Sequence, residues 1–289
     1  FGKDVDISND GNRVVVGAYN DDTGAGDSGA AYVYSYSNGS WTLDTVSGVL
    51  TGRIQALDRA VSDRFGSSVA MSGDGTRIIV GSPYNDDGGS SSGSAYIYTY
   101  SSGSWGTEKK LIASDDQAND EFGTSVAITS DGTKVVVGAP YEDTVSSEYG
   151  KVYTYIYNSG TGNWDESSQK LQATSFLASG SGGGDIAFGN SVNMNADGTK
   201  MIVGANFEDT GTGGVSTNDS GSAYIYTYSG GSWGSEVHLR ASDATAAIAD
   251  GSDDEFGWRV RMNNDGTEVI VGVRYEDSGA ANSGAAYIF

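Results

Sequence analysis

Residues 122–153 have the sequence FGTSVAITSDGTKVVVGAPYEDTVSSEYGKVY, and this stretch decides the fold. Large and small residues alternate from Phe122 to Ile128, which is typical of a β-strand whose two faces meet different neighbours. Asp131-Gly132 follows as a hairpin signal, for which we expect a two-residue type I′ turn with positive φ at both residues. The apolar run 135–137 then predicts a strand that is buried on both faces.

The same pattern is repeated along the whole chain. Each segment continues with a third strand that has tyrosines at spacing two, such as Tyr96 and Tyr98, and with a weaker fourth strand after a tryptophan. We expect most of these tyrosines to pack in the core between successive segments. Helical periodicity is nowhere sustained. A Phe-Gly pair opens the segments, 57 to 68 residues apart, at Phe1, Phe65, Phe122, Phe188 and Phe256.

Four antiparallel strands per repeat predict an all-β fold, a single β-propeller over residues 1–289 whose blades bury their faces against one another. The predicted blades span residues 1–64, 65–121, 122–187, 188–255 and 256–289, and the last is incomplete because it ends after its third strand. This favours five blades. The alternative is a part of a six- or seven-bladed propeller, since closed propellers have about four to eight blades.

The repeat closely resembles the FG-GAP repeat of integrin α subunits and related extracellular proteins. The resemblance rests on Phe-Gly-x-Ser-Val-Ala from Phe122, on Gly138-Ala139-Pro140 and on Gly-x-Val-Tyr ending at Tyr153. It implies a β-propeller with an extracellular binding role. Integrin-type repeats often hold calcium in the hairpin between the first two strands. Here that hairpin is SGDGT at 72–76, and its one carboxylate cannot supply the six to eight oxygens that Ca²⁺ takes.

Composition excludes several classes of function. The 289 residues contain 38 Asp and Glu against 16 Lys and Arg, a net charge of −22, which disfavours nucleic acid and anionic membranes as partners. Cysteine is absent and His238 is the one histidine, so we expect no thiolate or histidine-rich site, no catalytic triad and no enzyme. His238 itself is predicted to be a solvated surface residue. No apolar stretch is long enough to insert in a membrane.

The loops after the second strands vary in length and are rich in acids, and an aromatic residue followed by Asn or Glu and then Asp opens each of them. Variable loops on a rigid scaffold are usual places for binding. Trp258 stands where other repeats have Lys, Ser, Thr or Asn, which favours a ligand contact or a filler of the central channel. The predicted ligand-binding residues are Asp21, Asp86, Asp143, Asp209, Asp277 and Trp258.

A second acid precedes most Phe-Gly pairs and should reach the same side as the loops. Together these acids could hold Ca²⁺ between adjacent blades, since carboxylate oxygens are its usual ligands. The alternative is that each aspartate caps the backbone N–H groups of its own turn. The candidate calcium ligands are Asp63, Asp115, Asp120, Glu142, Asp143, Glu208, Asp209, Asp254 and Asp277.

The sequence thus predicts an extracellular or cell-surface, non-catalytic module for binding or adhesion, with a protein or glycan ligand on its acidic loops. The alternatives are a self-assembling structural subunit of an extracellular filament or coat, and a carbohydrate-binding lectin. Calcium is the candidate cofactor, and no organic cofactor is expected. Two N-x-Ser sequons, at Asn38 and Asn218, would permit glycosylation in a secretory route.

Overall fold

The computed structural model describes residues 1–47, 52–143, 149–174, 186–208, 220–241, 254–275 and 283–289. Within these ranges the strands form five sheets in chain order, and every strand pairing that we describe is antiparallel. The first sheet contains β1 (Val5–Ile7), β2 (Arg13–Ala18), β3 (Ala30–Ser37), β4 (Ser40–Leu43) and β5 (Arg53–Ile54), and the second contains β6 (Ser68–Met71), β7 (Arg77–Ser82), β8 (Ser94–Ser101) and β9 (Ser104–Leu111).

The remaining three sheets repeat this order, and the all-β prediction is confirmed. As predicted, the last sheet has three strands in the part of the chain that the structure describes. The third sheet contains β10 (Ser125–Ile128), β11 (Lys134–Ala139), β12 (Lys151–Asn158) and β13 (Asn163–Glu166); the fourth contains β14 (Phe188–Met194), β15 (Lys200–Ala205), β16 (Ser222–Ser229) and β17 (Ser232–Leu239); the fifth contains β18 (Arg259–Met262), β19 (Val269–Val273) and β20 (Ala285–Ile288).

The chain forms two compact units. The first comprises Phe1–Val137 and Tyr153–Ser168, and the second Gly138–Val152 and Gln169–Phe289. The described residues include no helix with the length and apolarity needed to cross a membrane.

The Asp-Gly hairpins differ from the predicted type I′ turns. Gly75 has a φ of +67°, but Asp74 does not have a positive φ. The Gly75 N–H bonds the carbonyl of Ser72, three residues earlier, so the turn ends with a glycine in the left-handed region. The aspartate instead uses its side chain, which accepts hydrogen bonds from Ser72 Oγ at 2.7 Å and the Thr76 N–H at 2.9 Å.

Two-residue turns with positive φ at both positions do occur, but between the third and fourth strands. Asn38 and Gly39 have φ values of +51° and +82°, and Ser102 and Gly103 have +52° and +85°. Mirror-image turns of this kind match the twist of the flanking strands.

In the first unit the core lies between the first two sheets. Phe65 is fully buried, and its ring lies 5.4 Å from that of Tyr96 and 6.1 Å from that of Tyr98. The same cluster contains Val15 and Val33 of the first sheet. The prediction that third-strand tyrosines pack between segments is therefore confirmed here. Burying one large apolar side chain of this kind contributes about 2–3 kcal/mol.

Successive sheets of the first unit approach so closely that glycine is required at the junction. A Cβ on Gly93 would lie 2.1 Å from the Phe122 carbonyl oxygen, and one on Gly81 would lie 1.9 Å from that of Gly123. The Phe122 N–H bonds the Ser92 carbonyl at 2.9 Å. The Phe-Gly pair of one segment therefore docks by its backbone on the preceding segment, and its ring packs into its own sheet.

The second unit repeats this junction. A Cβ on Gly221 would lie 2.2 Å from the Phe256 carbonyl oxygen, and one on Gly204 would lie 2.1 Å from that of Gly257. Phe256 is fully buried in a cluster with Ile202 of the fourth sheet. Each described junction is thus built by the same glycines and phenylalanine.

Two kinds of side chain reinforce these junctions. Arg77 of β7 donates to the Gly132 carbonyl of the next hairpin at 2.7 Å and stacks 4.0 Å from the centre of the Tyr157 ring. Glu108 of β9 accepts the Leu57 N–H at 3.0 Å and the Tyr98 hydroxyl at 2.6 Å, which ties the end of the preceding sheet to the second. The same acidic contact recurs at Glu166 with Ser114 and at Glu236 with Thr174.

The junction glycine can be tested against a glycine with the same backbone angle and free space. Gly93 (φ +87°) and Gly103 (φ +85°) both disfavour alanine, at about 1 kcal/mol, but a Cβ on Gly103 would contact nothing within 4 Å. We expect Gly93→Ala to lower the free energy of unfolding by about 3 kcal/mol more than Gly103→Ala, because the added methyl group meets backbone that cannot move independently. Guanidinium chloride unfolding of both variants measures the difference, and equal losses would contradict this account of the junction.

Candidate functional site

The hairpin side of each sheet is taken up by structural contacts. Burial raises the pKa of Asp74, but the hydrogen bonds from Ser72 and Thr76 outweigh it, so the pKa lies below its ordinary value. Asp131 makes the same contacts with Thr129 and Thr133. These aspartates serve their own turns, which leaves the opposite side, where the second strand connects to the third, as the candidate site. We call this side the loop face; it comprises residues 19–29, 83–93, 140–150, 206–221 and 274–284.

The loop-face connections differ from the prediction in length. Residues 19–29, 83–93, 140–150 and 274–284 are connections of equal length, and 206–221 is longer. What varies among the four equal connections is composition. The scaffold therefore fixes the span of the loop, because both of its ends lie on adjacent paired strands.

One loop position has the same backbone contacts in four repeats. The N–H at this position donates to the carbonyl of the last residue of the second strand, and its carbonyl accepts the N–H of the glycine before the third strand. Asn85, for example, makes these two bonds with Ser82 and Gly93. The alignment of Asp21 with Asp86 and Asp143 is corrected by these bonds, since the first repeat has one residue fewer before the acid. The residues at this shared position are Asp21, Asn85, Glu142 and Glu208.

The side chains at this position have donors inside the protein. Asp21 accepts from the Tyr32 hydroxyl at 2.7 Å and lies 3.9 Å from the Arg53 guanidinium. Although burial raises the pKa of Asp21, the Tyr32 bond and the charge of Arg53 bring it below the ordinary value. Glu142 is buried and forms an ion pair with Lys151, which is also buried.

A lysine lies among the acids between the first two sheets. The Lys110 ammonium donates to Asp58 at 2.7 Å, to Asn85 Oδ1 at 3.0 Å and to Asp87. It also lies 5.4 Å from the centre of the Tyr96 ring. Burial lowers the pKa of Lys110, but the bonds to the two aspartates raise it above its ordinary value. The protein's own cation thus occupies a position where carboxylate and amide oxygens converge.

The acids before the Phe-Gly pairs act partly as turn caps. Asp63 Oδ2 accepts the Ala60 N–H at 2.6 Å, and Asp120 Oδ2 accepts the Gln117 N–H at 2.8 Å. Asp63 Oδ2 also accepts a hydrogen bond from Asn85 Nδ2 at 3.4 Å. The acid before this Phe-Gly pair and the loop after the second strand therefore lie on the same side, as predicted. Burial raises the pKa of Asp63, whose Oδ1 has no hydrogen-bond partner among the described residues.

The other predicted metal ligands that the structure describes do not come together around a common point. The Asp115 carboxylate accepts the Tyr153 hydroxyl at 2.9 Å, and the carbonyl of Asp254 accepts the N–H groups of Arg274 and Tyr275. Among the described residues, no group of three or more Asp, Glu or His side chains is arranged to hold a metal ion. Asp209 and Asp277 lie outside those residues, so calcium stays a prediction.

The remaining predicted ligand contacts are exposed to different degrees. Asp86 and Asp143 are exposed, and Asp86 Oδ1 accepts the Ser91 N–H at 2.7 Å. Trp258 is half-buried, and the Arg274 guanidinium lies 4.4 Å from its ring centre, so one face of the indole is covered by the protein itself. Its role as a ligand contact stays a prediction.

One of the two sequons lies in the part of the chain that the structure describes. Asn38 is exposed at the two-residue turn between β3 and β4, where its positive φ gives it a conformational role. Asn218 lies outside the described residues. Glycosylation of either asparagine stays a prediction.

His238 is not the solvated residue that the sequence predicts. Its ring stacks on that of Tyr224 with 4.6 Å between the centroids, and Nε2 lies 2.7 Å from Ser222 Oγ. Burial lowers the pKa of His238 to about 4, and the charge of Arg240 adds to this. The neighbouring Glu208, 3.9 Å away, has a raised pKa, also because of burial.

Sequence reasoning missed the basic residues that face the third-strand tyrosines. In the second and fourth sheets Lys110 pairs with Tyr96 and His238 with Tyr224, and in the first sheet Arg53 pairs with Tyr32. The register could have been counted from the tryptophan turn, except that bulges in β8–β9 and β16–β17 shift it. Because these basic partners were not predicted, the acids were interpreted as candidate metal ligands.

Comparison with known families now identifies the repeat. The model of the FG-GAP repeat matches residues 1–34, 49–98, 105–155 and 233–289, which is more than half of the chain. The chain belongs to the FG-GAP repeat family. A comparison with curated proteins finds no match.

A solved structure shows the same fold. The periplasmic gluconolactonase of Pseudomonas aeruginosa superposes with a TM-score of 0.57 at 16% identity, over 94% of this chain. The chain spans 65% of the length of that protein. The β-propeller prediction is confirmed by this likeness together with the family.

The comparison also corrects one expectation. We expected no enzyme because the chain has no cysteine and one histidine, and because no pair of carboxylates stands out among its 38 acids. That inference is wrong, since a protein with this fold is a gluconolactonase. The fold does not exclude catalysis.

The titration of His238 is directly measurable, because it is the one histidine of the chain. We expect its imidazole to titrate near pH 4 in the folded protein and near 6.5 when unfolded. The unfolded chain then takes up the proton first, so this residue lowers stability as pH falls from 6.5 to 4, with no further loss below 4. The NMR shifts of the ring give the folded pKa, and His238→Gln removes this part of the pH dependence while Glu208, Glu236 and Arg240 stay in place. A folded pKa near 6.5 would contradict the buried, stacked position.

The calcium prediction has a separate test. An ion bound by the folded state alone stabilises it by mass action, by about 2.7 kcal/mol at a hundredfold excess over the dissociation constant. A thermal melt in millimolar Ca²⁺ should then show a higher Tm than one in excess chelator, with Mg²⁺ as the control ion. The same Tm in all three conditions would rule out structural calcium.

Proposed function

We propose that this FG-GAP propeller is an extracytoplasmic module for binding or adhesion that holds its ligand on the loop face. The observation that carries the proposal is the difference between the two sides of each sheet. The exposed hairpin aspartates Asp74 and Asp131 use both carboxylate oxygens within their own turns. Among the described residues, the side chain of the exposed Asp86 accepts a hydrogen bond through Oδ1 alone, and Asp143 is also exposed, on loops whose span the scaffold fixes. Residues in such loops can change without loss of the fold, which suits recognition.

The location outside the cytoplasm is supported by two comparisons. The repeats of this chain belong to the FG-GAP family, which includes repeats of extracellular proteins. The gluconolactonase with the same fold is periplasmic. A surface charge of −22 also suits a protein that must stay soluble among other molecules without binding them non-specifically.

The proposal is tested with arrays of extracellular-matrix proteins and glycans as probes. We expect the full chain to bind at least one arrayed component, and Asp86→Asn with Asp143→Asn to weaken that binding about tenfold, because hydrogen bonds to charged groups are lost. The matched control is Asp165→Asn with Glu268→Gln, which removes the same charge from exposed positions outside the loop face. Equal weakening by both pairs would show a general charge effect and contradict the proposal.

Size-exclusion chromatography with light scattering separates this function from self-assembly. A binding module of this kind should elute as a monomer of 29.9 kDa without ligand. A large assembly that forms without ligand would favour the structural subunit of a filament or coat instead.

A further inference from the structure

Within the described residues, two cations of the first unit contact aromatic rings but have no hydrogen-bond or ion-pair partner for their charged groups. The chain has 16 Lys and Arg against 38 Asp and Glu, so an acid should be available to each cation. The other 14 cations make a hydrogen bond, an ion pair or another interaction with the protein, as Arg13 does with Asp44. Among the described residues, Lys3 and Arg64 make no hydrogen bond or ion pair through their side chains.

Both unpaired cations lie at the same tyrosine. Lys3 Nζ is 5.6 Å and Arg64 Cζ is 5.8 Å from the centre of the Tyr19 ring. The Arg64 guanidinium also lies 4.7 Å from the centre of the Tyr84 ring. Two like charges on one ring repel each other, and an anion bound beside them would relieve that repulsion.

The backbone holds Arg64 in place. Its φ is +54°, its N–H bonds the Asp27 carbonyl at 3.1 Å, and its carbonyl accepts the Ser67 hydroxyl at 2.8 Å. The corresponding residues of the next two repeats are Glu121 and Ala187, with φ of +53° each. The turn therefore needs no cation at this position, and the arginine has another reason to be there.

A comparable stack in the second unit is paired within the protein. The Arg274 guanidinium lies 4.4 Å from the Trp258 ring centre and 4.5 Å from that of Tyr275, and it forms an ion pair with Glu255 at 3.7 Å. Stacking between aromatic rings thus does not by itself keep an arginine from finding a carboxylate. At Arg64 no carboxylate of the described residues lies within ion-pair distance of the guanidinium.

Arg64 opens on a cavity of about 440 Å³. This volume is within the range of small-molecule sites, about 300–1,000 Å³. The walls bear hydroxyl groups and one exposed carboxylate, that of Asp86, which accepts the Ser91 N–H through Oδ1. The lining residues are Val61, Ser62, Arg64, Tyr84, Asp86, Ser90 and Ser91.

We propose that this cavity binds a uronate, a sugar residue that carries a carboxylate. A guanidinium presents a planar fork that matches a carboxylate. Lys3, which contacts the same Tyr19 ring as Arg64, adds positive charge to this part of the first unit. The serine hydroxyls and Asp86 bind the sugar hydroxyl groups. An acidic peptide fits less well, because its carboxylate stands on an apolar linker where the cavity offers hydroxyl groups.

The net charge of −22 does not prevent this binding. At physiological ionic strength the Debye length is about 8 Å, so acids on distant loops are screened, whereas a contact at half-buried Arg64 is screened much less. The acids near the cavity include Asp86 in its wall, Asp63, which interacts electrostatically with Asp86, and Glu121 beside Tyr84. The inference rests on the proposed function only in placing the ligand on the loop face.

The test is a calorimetric titration of the full chain with trigalacturonate, its methyl ester, galactotriose and triglutamate. We expect trigalacturonate to bind, and the ester and the neutral trimer to bind at least about tenfold more weakly, since a charge-assisted hydrogen bond is lost. Arg64→Gln should weaken trigalacturonate binding by a similar factor, and Lys109→Gln, which removes a paired cation elsewhere in the first unit, should not. Arg64→Lys keeps the charge without the fork and gives an intermediate loss, and it serves as the second variant if Arg64→Gln does not fold.

Three outcomes overturn the proposal, and two further outcomes separate it from the proposed function. Equal binding of the methyl ester rules out recognition of the carboxylate, equal binding of triglutamate rules out the sugar, and unchanged affinity in Arg64→Gln places the site elsewhere. If no trimer binds but array binding still depends on Asp86 and Asp143, this inference alone fails. If array binding is absent and trigalacturonate binds through Arg64, the proposed binding of arrayed proteins and glycans is wrong and the cavity stands.

Discussion

The fold depends on a backbone contact that glycine alone permits. At each described junction the phenylalanine carbonyl of one segment lies where a Cβ would stand on the preceding segment, 2.1 Å from it at Gly93 and 2.2 Å at Gly221. The contact brings the sheets close enough for Phe122 and Phe256 to be fully buried. A segment therefore gains its core by packing on its neighbour, which is why the Phe-Gly pair and a glycine near the end of the second strand recur together in the sequence.

The high content of acids follows in part from the same dependence. Glu108, Glu166 and Glu236 each accept backbone and tyrosine donors that tie one sheet to the preceding one. Hairpin aspartates hold their own turns. Many of these acids therefore have a structural role. An acid on this surface does not by itself indicate a ligand site; its exposure and its hydrogen-bond partners distinguish the two roles.

Sequence alone predicted the repeats, the strand order and the packing of the third-strand tyrosines, because each has a local pattern of alternation, turn residues or aromatic spacing. It did not predict which residues oppose the loop acids. Lys151 pairs with Glu142 and His238 stacks on Tyr224 through the register of adjacent strands, and a bulge between Ile225 and Thr227 shifts that register. Asp21 was misaligned for a similar reason, since one missing residue moved it to the position of Asn85.

The residue before each Phe-Gly pair shows where specificity can vary on this scaffold. Arg64, Glu121, Ala187 and Glu255 share φ values between +53° and +57°, and each carbonyl accepts the N–H of the residue three places on. Such a conformation costs about 1–2 kcal/mol for any residue other than glycine, so it is maintained by the junction and not by the side chain. The side chain is consequently fixed in direction and free in identity. An arginine, two glutamates and an alanine at equivalent positions give each junction a different chemistry on the same backbone, which is how a repeat can acquire a site in one blade without disturbing the others.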